Sequence, residues 1–183
     1  MMASPTPRSE TLPQALVLAC GNTLRGDDGV GWQIGCAVKQ QLPMAGLTIL
    51  LTQQLLPEHA ESVSAADVVV FVDCSATIPA GTVSTVFLYP APRLSGIFTH
   101  HLDPPSLLRL ALDLYARSPD RAIAVTVGGE SFALKDRLGE AVTAALAEVL
   151  EAVRLQLQSA NAGARPTVSF DTLLASPQPK NPI

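Results

Sequence analysis

Residues 15–31 read Ala-Leu-Val-Leu-Ala-Cys-Gly-Asn-Thr-Leu-Arg-Gly-Asp-Asp-Gly-Val-Gly, an apolar strand running straight into a glycine-bracketed turn. Glycine at 21, 26, 29 and 31 gives this backbone room for positive φ or for close approach to a neighbour. Asp27 and Asp28 fall where a helix should begin. Such a turn presents its carboxylates at the carboxyl edge of a sheet, where open α/β folds bind their ligands.

Several chemistries fit a turn of this kind. An Asp at a helix start commonly caps the free N–H groups and meets the positive end of the helix. A glycine-rich turn after a strand also suggests a nucleotide phosphate, but Gly21, Gly26 and Gly29 do not fit G-x-G-x-x-G and no Gly-Lys-Ser/Thr follows. Two carboxylates would repel a phosphate in any case. The pair suits a hard or borderline cation, provided that His and further carboxylates converge on it.

Outward from the turn, hydrophobic periodicity alternates between strand and helix. Val30, Ile34, Ala37, Val38 and Leu42 fall at helical spacing until Pro43. Leu47–Thr52 reads as a second strand, 57–64 as a short helix carrying His59, and Val68–Val72 as a buried third strand between Asp67 and Asp73. After the turn at 78–81, residues 82–89 read as a fourth strand, and so short a connection implies that it runs antiparallel to the third, toward a sheet edge. Residues 89–101 lack any period and contain Pro90, Pro92 and Gly96, so they read as a loop. Asp103-Pro104 opens a helix with Leu107, Leu108, Ala111, Leu114 and Tyr115 on one face. Ala122–Val127 is a fifth strand, and Leu138, Val142, Ala145, Leu146, Val149 and Val153 form the stripe of a long last helix. The expected fold is a single-domain α/β: a mostly parallel, twisted five-stranded sheet, helices on both faces and one antiparallel strand.

Bulk properties agree with one domain. At 183 residues, 48% hydrophobic and 15% charged, the chain suffices for one real core. Residues 1–13 lack the apolar stretch of a signal peptide and read as a flexible segment, 14–158 as the folded domain, and 159–183, rich in Pro, Ser, Ala and Asn, as a tail. No run approaches the length of a bilayer span. A net charge of −4 leaves no footprint for nucleic acid or an anionic membrane. Cys20, Cys36 and Cys74 are odd in number and widely spaced, neither a disulfide framework nor a zinc motif, so a reducing cytoplasm is expected; the chain is also expected to act as a monomer.

Residues 18–31, Leu-Ala-Cys-Gly-Asn-Thr-Leu-Arg-Gly-Asp-Asp-Gly-Val-Gly, resemble the amino-terminal signature of the hydrogenase maturation proteases. Two later stretches resemble that family in the same order: Val-Val-Val-Phe-Val-Asp at 68–73 with Pro-Ala-Gly-Thr-Val at 79–83, and Thr-His-His-Leu at 99–102 before a leucine-rich helix. The likeness covers about 15–155, and three ordered motifs are far more specific than one glycine loop. It implies an endopeptidase that trims the C-terminal extension from the large-subunit precursor of a nickel-iron hydrogenase, with nickel carried by that substrate. The alternative is a non-enzymatic, metal-dependent adaptor or chaperone docking on the same metallated precursor.

By that resemblance the metal-contacting positions are Asp28, Asp73 and His100. His101 is the alternative ligand, and Asp27 a further carboxylate within reach. Many family members carry Glu where this chain has Asp28, so here the metal sits deeper or Asp27 assists. If the first and third strands are parallel neighbours, Asp28 and Asp73 share one edge of the sheet, and the loop holding His100 closes over it. Two carboxylates and one imidazole form an open site, suited to a catalytic or substrate-borne transition metal. The chain has no Gly-x-Ser-x-Gly elbow, no His-Glu-x-x-His helix and no Cys-His-Asn arrangement, which leaves metal-assisted hydrolysis, with Asp27 or Asp73 orienting the water. Cys20 and Cys74 flank the same strand ends, either as packing residues or as thiols that a nearby cation would acidify.

Overall fold

The computed structural model describes residues 13–92 and 102–161. Five strands form one sheet: β1 (Ala15–Cys20), β2 (Leu47–Thr52), β3 (Val68–Ser75), β4 (Val83–Leu88) and β5 (Arg121–Gly128), in the spatial order β2-β1-β3-β5-β4. β2, β1, β3 and β5 are parallel, and β4 pairs antiparallel with β5 at one edge. This is the mixed sheet that the periodicity predicts.

Alternation along the strands divides the core in two. Val17, Ala19, Val70, Val72, Ile123 and Val125 face α1 (Val30–Gln41) and α4 (Glu140–Asn161). Leu16, Leu18, Cys20, Val69 and Phe71 face α2 (His59–Ala65) and α3 (Pro104–Tyr115). Fully burying an aliphatic side chain of this size is worth about 1.5–3 kcal/mol, so the strands that bury both faces anchor the fold. β1 is buried along its whole length, as its apolar sequence requires.

The fourth strand runs antiparallel to β3 and lies at an edge, as expected, but it is not β3's hydrogen-bonded neighbour. β5 lies between them. The reason is burial: β5 buries Ala122, Ile123, Val125 and Val127, whereas β4 exposes Thr85, Val86 and Phe87. A strand apolar on both faces belongs inside the sheet, and the more polar one at its rim.

β3 also runs on through Asp73, Cys74 and Ser75, paired with Thr126, Val127 and Gly128. Asp73 therefore stands inside a strand and not beyond its end. α3 starts as its sequence predicts: Asp103 is the N-cap, its side chain accepts from the Ser106 N–H at 2.8 Å, and Pro104 takes the first helical position. His59 Nδ1 accepts from the Leu56 N–H at 3.0 Å, which gives this histidine a local structural role at the start of α2. α4 reaches Asn161, and Arg121 ties it to the sheet through Gln156 Oε1 and Ser159 Oγ, both at 2.6 Å. Among the described residues no helix is long and apolar enough to cross a membrane.

Candidate functional site

The turn after β1 is built by close packing of the chain on itself. Gly21 has φ +139°, and a Cβ there would lie 1.8 Å from the Asp28 carbonyl oxygen. Gly31, in the first turn of α1, would place a Cβ 1.8 Å from the Cys20 carbonyl oxygen. These glycines let α1 press against the end of β1, and the space they leave is filled by backbone. A phosphate cradle needs that space open, so the nucleotide reading has no support here.

Between them, Gly26–Gly29 form a 3₁₀ turn, and neither aspartate caps α1 through its side chain. The two carboxylates part company. Asp28 is half-buried and one oxygen, Oδ2, accepts from the Asn22 N–H at 2.9 Å, which pins it at the rim of the turn. Asp27 is 1% exposed and points into the protein. Its Oδ2 accepts from the N–H groups of Glu130 and Ser131, both at 2.9 Å, and its Oδ1 from the Gly139 N–H at 2.6 Å. Burial by itself would raise this carboxyl group; the three N–H donors and the charge of Lys135 outweigh it and hold the group below its ordinary value.

The reading of Asp27 as an aid to the metal or the water is therefore corrected. Both of its oxygens are committed to backbone donors on the 130–139 segment, so it fastens that segment to the turn.

Asp73 reaches the same edge from β3. β1 and β3 are parallel neighbours with Ala19 opposite Val72, which brings Cys20 level with Asp73. By alternation Asp73 falls on the face of Val69 and Phe71, the side of the sheet covered by α2 and α3. The residue is exposed, its Oδ1 accepts from the Cys74 N–H at 2.8 Å, and Asp28 is close enough to act on its charge. Crowding by surrounding protein pushes the Asp73 carboxyl up to about 6, helped by Asp28 and opposed by the Cys74 N–H.

The two cysteines lie on opposite faces. Cys20 packs with Phe71 and the α2/α3 layer, and Cys74 against the α1/α4 core. Burial pushes both thiols up to about 12, and Asp73 and Asp28 add to the effect at each, with Asp27 contributing at Cys74. These surroundings favour neutral thiols that pack as small apolar groups.

His100 and His101 lie outside the described residues. The described chain resumes at Leu102, which packs on the cluster that contains Cys20 and Phe71. His100 is two residues upstream of that anchor in sequence. Among the described residues, no group of three or more His, Cys, Asp and Glu side chains is set to hold a metal ion. Asp28 and Asp73 are thus brought to one edge, each with one carboxylate oxygen that accepts from a backbone N–H, and two carboxylates are the donor chemistry of a hard or borderline cation.

Sequence reasoning missed the role of the 129–139 segment. A Cβ on Gly129 would lie 2.5 Å from Cys74 Sγ, and one on Gly139 3.1 Å from Asp27 Oδ1. Gly128-Gly129 and Gly139 are the local signal, but nothing local names their partners, which stand more than a hundred residues away for Asp27.

With this architecture the chain matches solved hydrogenase maturation endopeptidases. The hydrogenase maturating endopeptidase HybD from E. coli aligns with a TM-score of 0.68 and 24% identity, over 82% of this chain and 94% of that one. An endopeptidase from Escherichia coli solved in solution gives 0.64 and 21%, over 83% and 95%. The [NiFe] hydrogenase maturation protease HycI from Thermococcus kodakarensis gives 0.62 and 18%, over 80% and 93%. The shared feature is the fold, across nearly the full length of each. No protein-family model matches the chain, and no curated protein matches it.

Proposed function

We propose that this chain is an endopeptidase that removes the C-terminal extension of a nickel-iron hydrogenase large-subunit precursor after nickel insertion. The observation that carries the reading is the convergence of Asp28 and Asp73 on one sheet edge, in a fold held in common with hydrogenase maturation endopeptidases. In this reading Asp28, Asp73 and His100 contact the nickel that the substrate brings. A cation held there would supply Lewis-acid chemistry, polarising the scissile carbonyl or lowering the pKa of a water. Asp73 orients that water, the part that Asp27 is unavailable to play. Asp28 is one carbon shorter than the Glu common at this position, so the substrate metal approaches the turn more closely. Three unpaired thiols suit a reducing, cytoplasmic setting, and the enzyme acts as a monomer on its precursor.

The experiment is mass spectrometry of a hydrogenase precursor, nickel-loaded or nickel-free, incubated with this protein. Loss of a C-terminal peptide from the loaded form alone is expected. Binding without cleavage would replace the endopeptidase by a metal-dependent adaptor.

A further inference from the structure

We propose that the groove between Leu24 and Leu134 is a docking site for an extended segment of the protein substrate, one whose apolar side chains are flanked by carboxylates. The inference rests on the endopeptidase reading and adds to it what part of the substrate is recognised, and where.

The groove has a volume of about 550 Å³ and is lined by Leu24, Leu134, Lys135, Asp136 and Arg137. That volume is within the range of sites that take small ligands, which is room for a few side chains. Leu134 is 87% exposed and Leu24 58%, two large apolar side chains that line the same groove and stand open to solvent. Lys135, Arg137 and the neighbouring Arg25 are exposed beside them. Against the one carboxylate of the lining, Asp136, these three cations leave a local positive excess that runs against the overall balance of 16 acidic and 12 basic side chains. Leucines bordered by cations complement a peptide that carries apolar groups and carboxylates, and not a neutral or basic one.

Position ties the groove to the candidate site. Leu24 and Arg25 belong to the same turn as Asp28, so the groove borders the loop that carries one of the two carboxylates. The walls are also fixed in advance. The Lys135 N–H donates to the Leu24 carbonyl at 3.0 Å, the Gly26 N–H to the Lys135 carbonyl at 2.9 Å, and the Asp27 N–H to the Ser131 carbonyl at 2.9 Å. The Asp27 carboxylate closes the connection from the other side. A preformed groove avoids the ordering cost that a loose loop would incur on binding.

The test uses the full chain and fluorescein-labelled octapeptides in fluorescence anisotropy. One peptide alternates Leu and Glu, a second replaces every Glu by Lys, and a third replaces every Leu by Ser; an oligothymidine of eight nucleotides is the fourth probe. The Leu/Glu peptide should bind, with the other three at least tenfold weaker. Leu134→Ser, and Arg25→Glu combined with Arg137→Glu, should each weaken it at least tenfold while melting at the wild-type temperature. In precursor cleavage the same variants should raise KM with kcat unchanged. If wild type cleaves nothing, the endopeptidase reading fails and the peptide arms still decide the groove. Equal binding of the Lys peptide or the oligothymidine, or wild-type affinity in the variants, would overturn the proposal.

Discussion

Asp27 and Gly139, 112 residues apart in sequence, are joined by a 2.6 Å hydrogen bond from the Gly139 N–H to Asp27 Oδ1. Gly139 directly precedes α4, so a carboxylate from the first turn of the protein sits at the positive end of its last helix. With its bonds to Glu130 and Ser131, it holds the start and the end of the domain together.

Replacing Asp27 by Asn should therefore destabilise the protein without touching the open edge. An amide nitrogen cannot accept, so at least one backbone N–H is left facing a donor; hydrogen bonds to a charged group are worth about 1.5–3 kcal/mol each, and a loss of about 3 kcal/mol is expected. The pH dependence has a defined sign. The folded carboxyl is held below its unfolded value of 3.8, so its contribution is present above pH 3.8 and lost as the pH falls below it. Urea denaturation should show the gap between wild type and variant at pH 7 narrowing under acid conditions; a gap that is constant with pH would contradict the charge-based account.

Asp73 should behave in the opposite way. Its folded value of about 6 exceeds the ordinary 3.8, so the native state holds the proton more tightly, and stability falls as the pH rises from 3.8 through 6. Asp73→Asn removes that loss and should melt higher than wild type at pH 8 and equal to it below pH 3.8, with the size limited by solvent access to the group. A variant that melts lower at pH 8 would show that the carboxylate is stabilising. NMR titration of Asp73 in Asp28→Asn should give a value below 6 yet above 3.8, since surrounding protein, more than Asp28, sets the shift.

Gly31→Ala tests the packing of the turn. The added methyl would sit 1.8 Å from the Cys20 carbonyl oxygen, where backbone meets backbone and no flexible side chain can yield. Overpacking of this kind typically costs about 1–3 kcal/mol and here should reach or exceed the top of that range. Thermal unfolding within a degree of wild type would mean that α1 can lift from β1 at little cost.

The thiols offer a check on the environment of the edge. With 5,5′-dithiobis(2-nitrobenzoate) at pH 8, exposed Cys36 should react quickly and Cys20 and Cys74 slowly, because burial and nearby carboxylates push both up to about 12. Three equally fast thiols would contradict the neutral, packed state assigned to that pair.

Much of this fold is legible residue by residue. The valine run at 68–72 and the apolar run that ends at Cys20 mark buried strands, and Asp103-Pro104 marks a helix start with its cap and first residue. The place of β5 was not legible, because a short connection after β3 fixes only the direction of β4, while burial on both faces fixes which strand pairs with β3. The true length of β3 was hidden because Asp73, Cys74 and Ser75 end the apolar run, although their backbones still pair with Thr126, Val127 and Gly128. At the site, the adjacency of Asp28 and Asp73 followed from strand order and the resemblance together. The different fates of Asp27 and Asp28 did not, since adjacent, identical side chains differ only in partners brought by distant chain.

The central claim is that the Asp28 and Asp73 edge performs cleavage. Intact-mass spectrometry of a nickel-loaded hydrogenase precursor, followed over time with wild type and with Asp73→Ala, addresses it most directly. Wild type should release a C-terminal peptide, and Asp73→Ala, melting as a folded protein, should leave the precursor whole. Release at the wild-type rate by a folded Asp73→Ala would contradict the account.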